Sequence, residues 1–469
     1  MKKIILTFLI AGMLATTGVH AQQAMLMEMP ATPVTASTPA QQEQSTASVS
    51  TDTPIEITAQ AVPSDLLEMI QQSFGHYAQL KSLYVQQKIA ADKTQLTKTS
   101  RMPDINGSAG YNHLYPVSKI ALPGSDATFQ AFPAENYNIG VSGRQLLLDF
   151  GKSGGAVNES IAAQNLLQLQ TEEARETLAY QVANVYLNIA FVNQNIGVQD
   201  ANIQLLEETE KIVSQKLKHG DAIDLDLLNT KVKLESYRNK KIDFENQLKK
   251  QVAILQYLTG AAASGVVKAD FNWPAAPENI TGSADVANSN AAIRTALEQE
   301  KVAALALKTA KTQYMPSLFL DAGTGFKNGY LPQLGALKYN YSAGVTLSVP
   351  IFHGKKLHIQ ENIAAQQIAV AKLHTQEVTD NLQKDIAEAN ADIQTSREKL
   401  ITSEALLQQA ERALQLAQSR YRNGVITFLD LQNAQTSQLE AQLSKVASQY
   451  QLSIAGLALL HLTGNQFWK

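Results

Sequence analysis

Apolar residues recur every seven positions through the last third of the chain. Ile386, Ile393, Leu400, Leu407 and Leu414 form one row. Ala389, Ser396, Ser403, Ala410 and Ala417 form a second row, staggered from the first by three and four. Such a pair of rows is a coiled-coil seam with one large and one small side, and small residues let helix backbones approach closely. A similar seam runs through Val182, Val185, Ile189, Val192 and Ile196. These patterns predict two uninterrupted helices, over 151–220 and 354–424, each about 100 Å long. Shorter helical stretches are predicted over 65–100, 223–259, 288–314 and 427–462. Elsewhere the period changes to two. Tyr137, Ile139 and Val141 alternate with Asn138, Ser142 and Arg144, and Tyr341, Ala343, Val345, Leu347 and Val349 alternate with Asn340, Ser342, Thr346 and Ser348. Strands are therefore predicted near 104–114, 136–148, 317–327 and 338–349.

These elements come in two copies. Arg101-Met102-Pro103-Asp104-Ile105 returns as Tyr314-Met315-Pro316-Ser317-Leu318, and Tyr137-Asn138-Ile139-Gly140-Val141 returns as Tyr341-Ser342-Ala343-Gly344-Val345. Gly220 with Leu225-Asp226-Leu227 and Asn229 returns as Gly424 with Leu429-Asp430-Leu431 and Asn433. The first copy is nine residues longer between Pro103 and Tyr137. Each copy reads helix, two strands, very long helix, turn, helix. The 14 prolines all avoid 151–273 and 351–469, as two long helical stretches require, because proline costs about 3 kcal/mol inside a helix.

Residues 1–21 have the form of a secretory signal peptide, with Lys2 and Lys3 before an apolar run and Val19-His20-Ala21 at the expected cleavage site. Residues 22–61, rich in Ala, Thr, Ser, Gln and Pro, are expected to form a flexible extension. The expected division continues with a first repeat over 62–260, a linker over 261–287, a second repeat over 288–463 and a tail over 464–469. No stretch beyond the signal is apolar enough for a transmembrane helix, so membrane entry calls for a β-barrel. Alternation of apolar and polar positions over about ten residues is the pattern of such strands. The absence of cysteine excludes disulfides and thiolate metal sites, and a formal net charge of −3 gives no basis for binding nucleic acid.

Four strands per chain cannot close a barrel, since known ones need at least about eight, and an open edge cannot sit in lipid. Three chains would supply twelve strands and a lumen. The half-length helices, stacked end to end, match the long ones, so each chain would supply four columns to a twelve-column tube.

This duplicated pattern resembles the TolC family of outer-membrane efflux proteins over 62–463. The resemblance rests on the duplication and on the strand-to-helix junctions Leu147-Leu148-Asp149-Phe150-Gly151-Lys152 and Val349-Pro350-Ile351-Phe352-His353-Gly354-Lys355. It rests also on the turns Leu217-Lys218-His219-Gly220 to Asp226 and Tyr421-Arg422-Asn423-Gly424 to Asp430. It implies a mainly α protein with a membrane β-barrel: a homotrimer with a twelve-stranded barrel in outer-membrane lipid and a helical tunnel in the periplasm, the linker over 261–287 being equatorial. It further implies docking to a periplasmic adaptor and an inner-membrane pump at a tip formed by Gly220, Gly424, Lys218 and Arg422. By position, Tyr421, Asp226 and Asp430 match residues that hold the family's periplasmic gate shut. Ile426 and Asn433 depart from it, standing where an Arg and a second pore Asp are found. Both aspartates also suit the first turn of a helix.

Other chemistry is sparse. His113, His219 and His353 have no metal-ligand spacing and are expected to be solvated. Met25, Met27 and Met29 form a thioether pattern compatible with Cu(I), without further support. Glu207 and Glu208 lie on a helix that reads as tube wall. Nothing resembles a nucleophile, a phosphate loop or paired catalytic acids, so no enzyme activity, cofactor or metal is expected. The expected role is a passive exit duct. The alternatives are an outlet for type I protein secretion and a periplasmic coiled-coil scaffold without a pore.

Overall fold

The computed structural model describes residues 62–121, 123–124, 128–261, 271 and 289–468. The signal, the extension with its methionines and most of the linker fall outside them. Helices α1 (Ser64–His76) and α2 (Ala78–Thr99) lead to strand β1 (Asp104–His113), a short hairpin of β2 (Lys119–Ala121) and β3 (Thr128–Gln130), and strand β4 (Glu135–Leu148). Helices α3 (Lys152–His219) and α4 (Asp224–Thr259) complete the first copy. The second copy runs through α5 (Ala291–Thr312), β5 (Ser317–Lys327), β6 (Lys338–Ser348), α6 (Lys356–Arg422) and α7 (Phe428–Leu462). The β2–β3 hairpin occupies the stretch where the first copy is longer.

The helix expected over 65–100 is two helices. Tyr77 breaks it with an extended backbone, φ −61 and ψ 116, and its ring meets Tyr257 edge-on at 5.9 Å. The two halves have different tasks. Leu66, Ile70 and Phe74 make α1 amphipathic, and they are buried with Val182, Ala183 and Tyr186 of α3, Leu255 and Leu258 of α4, and Phe467 and Trp468. Helix α2 lies along α3 as wall and buries only Leu80 and Thr94.

The short helices abut as half-columns. Asn290 joins α7 to α5: its Oδ1 accepts from Ile293 N–H at 3.1 Å and its Nδ2 donates to Leu462 O at 2.9 Å. One side chain thus satisfies orphan groups at two helix ends. Gly260 ends α4 at φ 73, and a Cβ there would lie 2.3 Å from His76 Nδ1. The sequence seam of α6 packs as expected: Ile386, Ile393 and Leu414 are buried, and so are Ala389, Ser396, Ser403 and Ala410.

The four long strands form an antiparallel sheet in the order β1-β4-β5-β6. Its register places Ala109, Ile139 and Phe326 in one row and Tyr111 opposite Tyr137. Directly opposed residues share a face, so one face carries Ile105, Tyr111, Ile139, Val141, Phe326, Tyr341, Val345 and Leu347, all exposed. The other face is mostly Asn, Ser, Gly, Thr and charged residues, with Leu146 and Phe319 at its helical end. Left-handed Phe150 (φ 52) and Gly151 (φ 99) turn β4 into α3, and Gly354 (φ 58) and Lys355 (φ 65) turn β6 into α6. Asp149 caps the first junction, accepting from Gly151 N–H at 3.1 Å and Ser153 N–H at 2.7 Å.

Candidate functional site at the helical turns and the sheet

Both long helices end the same way. Gly220 adopts φ 82, and Asp221 N–H reaches back to Lys216 O at 2.8 Å. Gly424 adopts φ 74, and Val425 N–H reaches back to Arg420 O at 2.9 Å. This six-to-one bond over a left-handed residue is the Schellman ending, for which glycine carries no Cβ penalty. Lys216, Lys218 and His219 stand in the last turn of α3, and Arg420 and Arg422 in that of α6, where cations complement the helix dipole. Lys218 and Arg422 are exposed at the two turns.

The turns pack on each other through a small core. Val213, Leu414, Tyr421, Phe428 and Leu431 are buried together, with Ile212, Leu227 and Ile426 packed against them. Ile426 thus contributes apolar contact to this core. Asn433 is exposed.

Tyr421, Asp226 and Asp430 have unlike surroundings. Tyr421 is buried, its ring 6.1 Å from that of Phe428 and 5.5 Å from Lys216 Nζ. Its hydroxyl is buried with no hydrogen-bond partner among the described residues. Burial, and then the nearby charge of Asp226, push its pKa up. Asp226 Oδ2 accepts weakly from Ile223 N–H at 3.5 Å, half of a capping box, since Ile223 has no side-chain oxygen to return the bond. Asp430 makes the full box: it accepts from Thr427 N–H at 3.0 Å and Thr427 Oγ1 at 2.7 Å, while Thr427 Oγ1 accepts from Asp430 N–H at 3.2 Å. Those bonds from Thr427 lower the Asp430 pKa. The fold therefore brings Tyr421 and Asp226 near each other and turns Asp430 toward its own helix start.

Sequence reading missed a ladder of buried polar side chains between α3 and α7. Asn202 Nδ2 donates to Gln442 Oε1 at 2.9 Å, Gln435 Nε2 to Thr209 Oγ1 at 2.8 Å, and Gln199 is fully buried. The signal was present: Asn195, Gln199, Asn202, Leu206, Thr209 and Val213 keep a four-three spacing, with polar residues at positions usually apolar. Glu207, by contrast, pairs with Arg238 at 2.9 Å on the exposed wall, a contact worth little. His219 and His353 are exposed as expected. His113 is exposed yet hydrogen-bonded through Nδ1 to Glu135 at 2.7 Å, and Tyr111 donates to the same carboxylate.

The sheet supplies the second half of the site. An exposed apolar face over four strands, with a polar face behind it, inverts the arrangement expected in water and matches a wall between lipid and an aqueous lumen. Tyr111, Tyr137, Phe326, Tyr339 and Tyr341 gather at the end carrying the strand-to-strand loops, where aromatic rings suit a membrane interface. Among the described residues no helix is long and apolar enough to cross a membrane, and no cluster of ligands could hold a metal.

The family of outer membrane efflux proteins matches residues 69–261 and 282–465. Among relatives, the pyoverdine export outer membrane protein OpmQ of Pseudomonas aeruginosa is 23% identical over 73% of this chain and 72% of its own. The outer membrane protein TolC of Vibrio cholerae is 22% identical over 84% of this chain and 89% of its own. Among solved structures, VceC of Vibrio cholerae superposes with a TM-score of 0.71 at 22% identity, over 86% of this chain and 97% of its own. The cation efflux protein CusC superposes with a TM-score of 0.73 at 18% identity, over 86% and 92%.

Proposed function

Because the chain belongs to the outer membrane efflux protein family, we propose that three copies join edge to edge into one twelve-stranded barrel continued by a twelve-column tunnel. The unpaired outer edges of β1 and β6 carry this reading. Exposed strand edges cannot persist in lipid, and three four-stranded sheets close into a barrel wide enough for a lumen. The helical columns at the two flanks of the chain support it too. Helices α2 and α4 expose Val85, Ile89, Val232 and Ile242, while α6 exposes Val370, Leu373 and Ile401.

The assembly is a duct and does no chemistry of its own. Its helical turns dock a periplasmic adaptor, through Lys218, Gly220, Arg422 and Gly424, which couples it to an inner-membrane pump, and the pump chooses the cargo. Tyr421, Asp226 and Asp430 close the periplasmic tip. The buried Tyr421 hydroxyl has no partner among the described residues and needs an acceptor, and Asp226 is the carboxylate whose charge acts on it. A hydrogen bond to a charged group contributes about 1.5–3 kcal/mol. Native mass measurement in detergent should give three chains. Combining Tyr421→Phe with Asp226→Ala should raise single-channel conductance in planar bilayers. Unchanged conductance would leave the three residues as cap and core positions.

A further inference from the structure

Two rows of charge cross the polar face of the sheet. Toward the helical end, Asp104, Arg144 and Asp321 stand opposite one another on β1, β4 and β5, and Arg144 Nε donates to Asp321 Oδ1 at 2.7 Å. This row carries one negative charge in excess. Toward the loop end, Lys327 and Lys338 stand directly opposite on β5 and β6. The rows lie six residues apart on β5, roughly 20 Å along the strand.

Like charges directly opposite destabilise a sheet, so the lysine pair is not explained by stability. Neither ammonium is neutralised by a carboxylate among the described residues. Lys327 Nζ lies 5.3 Å from the ring centre of Tyr330, and Lys338 Nζ donates to Leu331 O at 3.5 Å. Both partners belong to the β5–β6 loop. A ring face and a carbonyl hold a cation in place and leave its full charge available. The strand alternation puts both lysines on the same face as Asn138, Asn340 and Asp321, the face that lines the lumen in the trimeric barrel.

We propose that Lys327 and Lys338 form a site for multivalent anions at the outer mouth of the lumen. The site rests on the trimeric reading, in which two lysines from each of three chains make a single ring of six. It is opposite in sign to the aspartates at the other end of the duct. Its ligands are solutes carrying clustered phosphates or carboxylates. Neutral solutes pass it without attraction.

The test uses the full-length protein in planar bilayers at about 0.1 M KCl, with tripolyphosphate added to one side at a time. Addition on the barrel side should reduce the current, and addition on the tip side should not. Replacing both lysines, K327Q with K338Q, should weaken the block by about tenfold or more, since hydrogen bonds to charged groups are the strong ones. The charge-preserving pair K327R with K338R should retain it. Raising KCl to about 1 M should abolish it, because the screening length falls from about 10 Å to about 3 Å. The single variants K327Q and K338Q should each show part of the loss, which keeps the test valid if the double variant assembles poorly. A pore that tripolyphosphate does not block from the barrel side, or one blocked equally after K327Q with K338Q, would overturn the anion site alone. A chain that forms no pore would overturn the barrel and the site with it.

Discussion

Helices α3 and α6 hold the same place in the two copies and span 68 and 67 residues. Each starts at a left-handed junction below a strand and ends at or just before a left-handed glycine. Their surroundings differ. Helix α3 is flanked on both sides, by α2 and α4 and by α5 and α7, with α1 laid across it. Val182, Ala183, Leu187, Ile189 and Ala190 are 0% exposed there. Helix α6 packs chiefly on α5 and α7 and reaches α3 near the turn, where Leu414 and Tyr421 meet Val213, and Val370 and Leu373 on its surface are each 66% exposed. Duplication produced two helices of one kind, and chain order made one an interior column and the other an edge. In the proposed trimer an edge column is half of an interface.

Substitution inside α3 should have the largest effect. Ile189→Ala removes a fully buried side chain and should cost about 2–5 kcal/mol, read as a lower midpoint in thermal melts. Ile189→Asp should prevent folding, because an unpaired buried charge cannot be compensated. On α6 the same kind of change should spare the chain and break the assembly. Val370→Lys with Leu373→Lys should keep the helical circular dichroism while native mass measurement shows single chains. A persistent trimer would show that this flank of α6 faces water.

The turns below these helices sharpen the contrast, because there the copies are alike. Beyond the adjacent residues, no heavy atom lies within 4 Å of a Cβ built on Gly220 or Gly424, so only the backbone angle resists a side chain. Gly220→Val and Gly424→Val should each cost about 1–2 kcal/mol and impair export while the barrel still assembles. Loss of export from one substitution alone would show that a single turn carries the docking.

The smallest effects should come from the caps. Thr427→Ala should cost about 1 kcal/mol, and Ile223→Thr should gain up to about as much by completing the half-formed box. Asp430 also gives a pH signature. Its pKa is lowered below the ordinary 3.8 by bonds from Thr427. Its contribution is therefore present above 3.8 and is lost as the pH falls through the lower folded value. Thr427→Ala should flatten that acid limb in melts taken between about pH 2 and pH 6, a range that brackets ordinary carboxylate titration.

Much of this protein was legible in its sequence because the information is local. The seven-residue rows of α6, the period of two in β4 and β6, and the glycines at 220 and 424 each report a backbone conformation that depends on near neighbours. The four strand positions agree with the structure to within two residues. The helix expected over 65–100 is broken at Tyr77 by distant contacts: a ring against Tyr257 and an apolar stripe drawn toward Trp468. No period within α1 and α2 carries that information.

Sequence by itself determined the long helices, the four long strands, their duplication and the apolar and polar faces of the strands. Tertiary structure decided which long helix is interior, that the Tyr421 hydroxyl is buried near Asp226 and that Asp430 belongs to Thr427. It alone placed Arg144 between Asp104 and Asp321, and Lys327 against Lys338. The physical reason is that an apolar stripe states only that a helix must be covered, not how many neighbours cover it. Likewise an alternating strand fixes which side a residue faces, and only the register between strands fixes what it faces there.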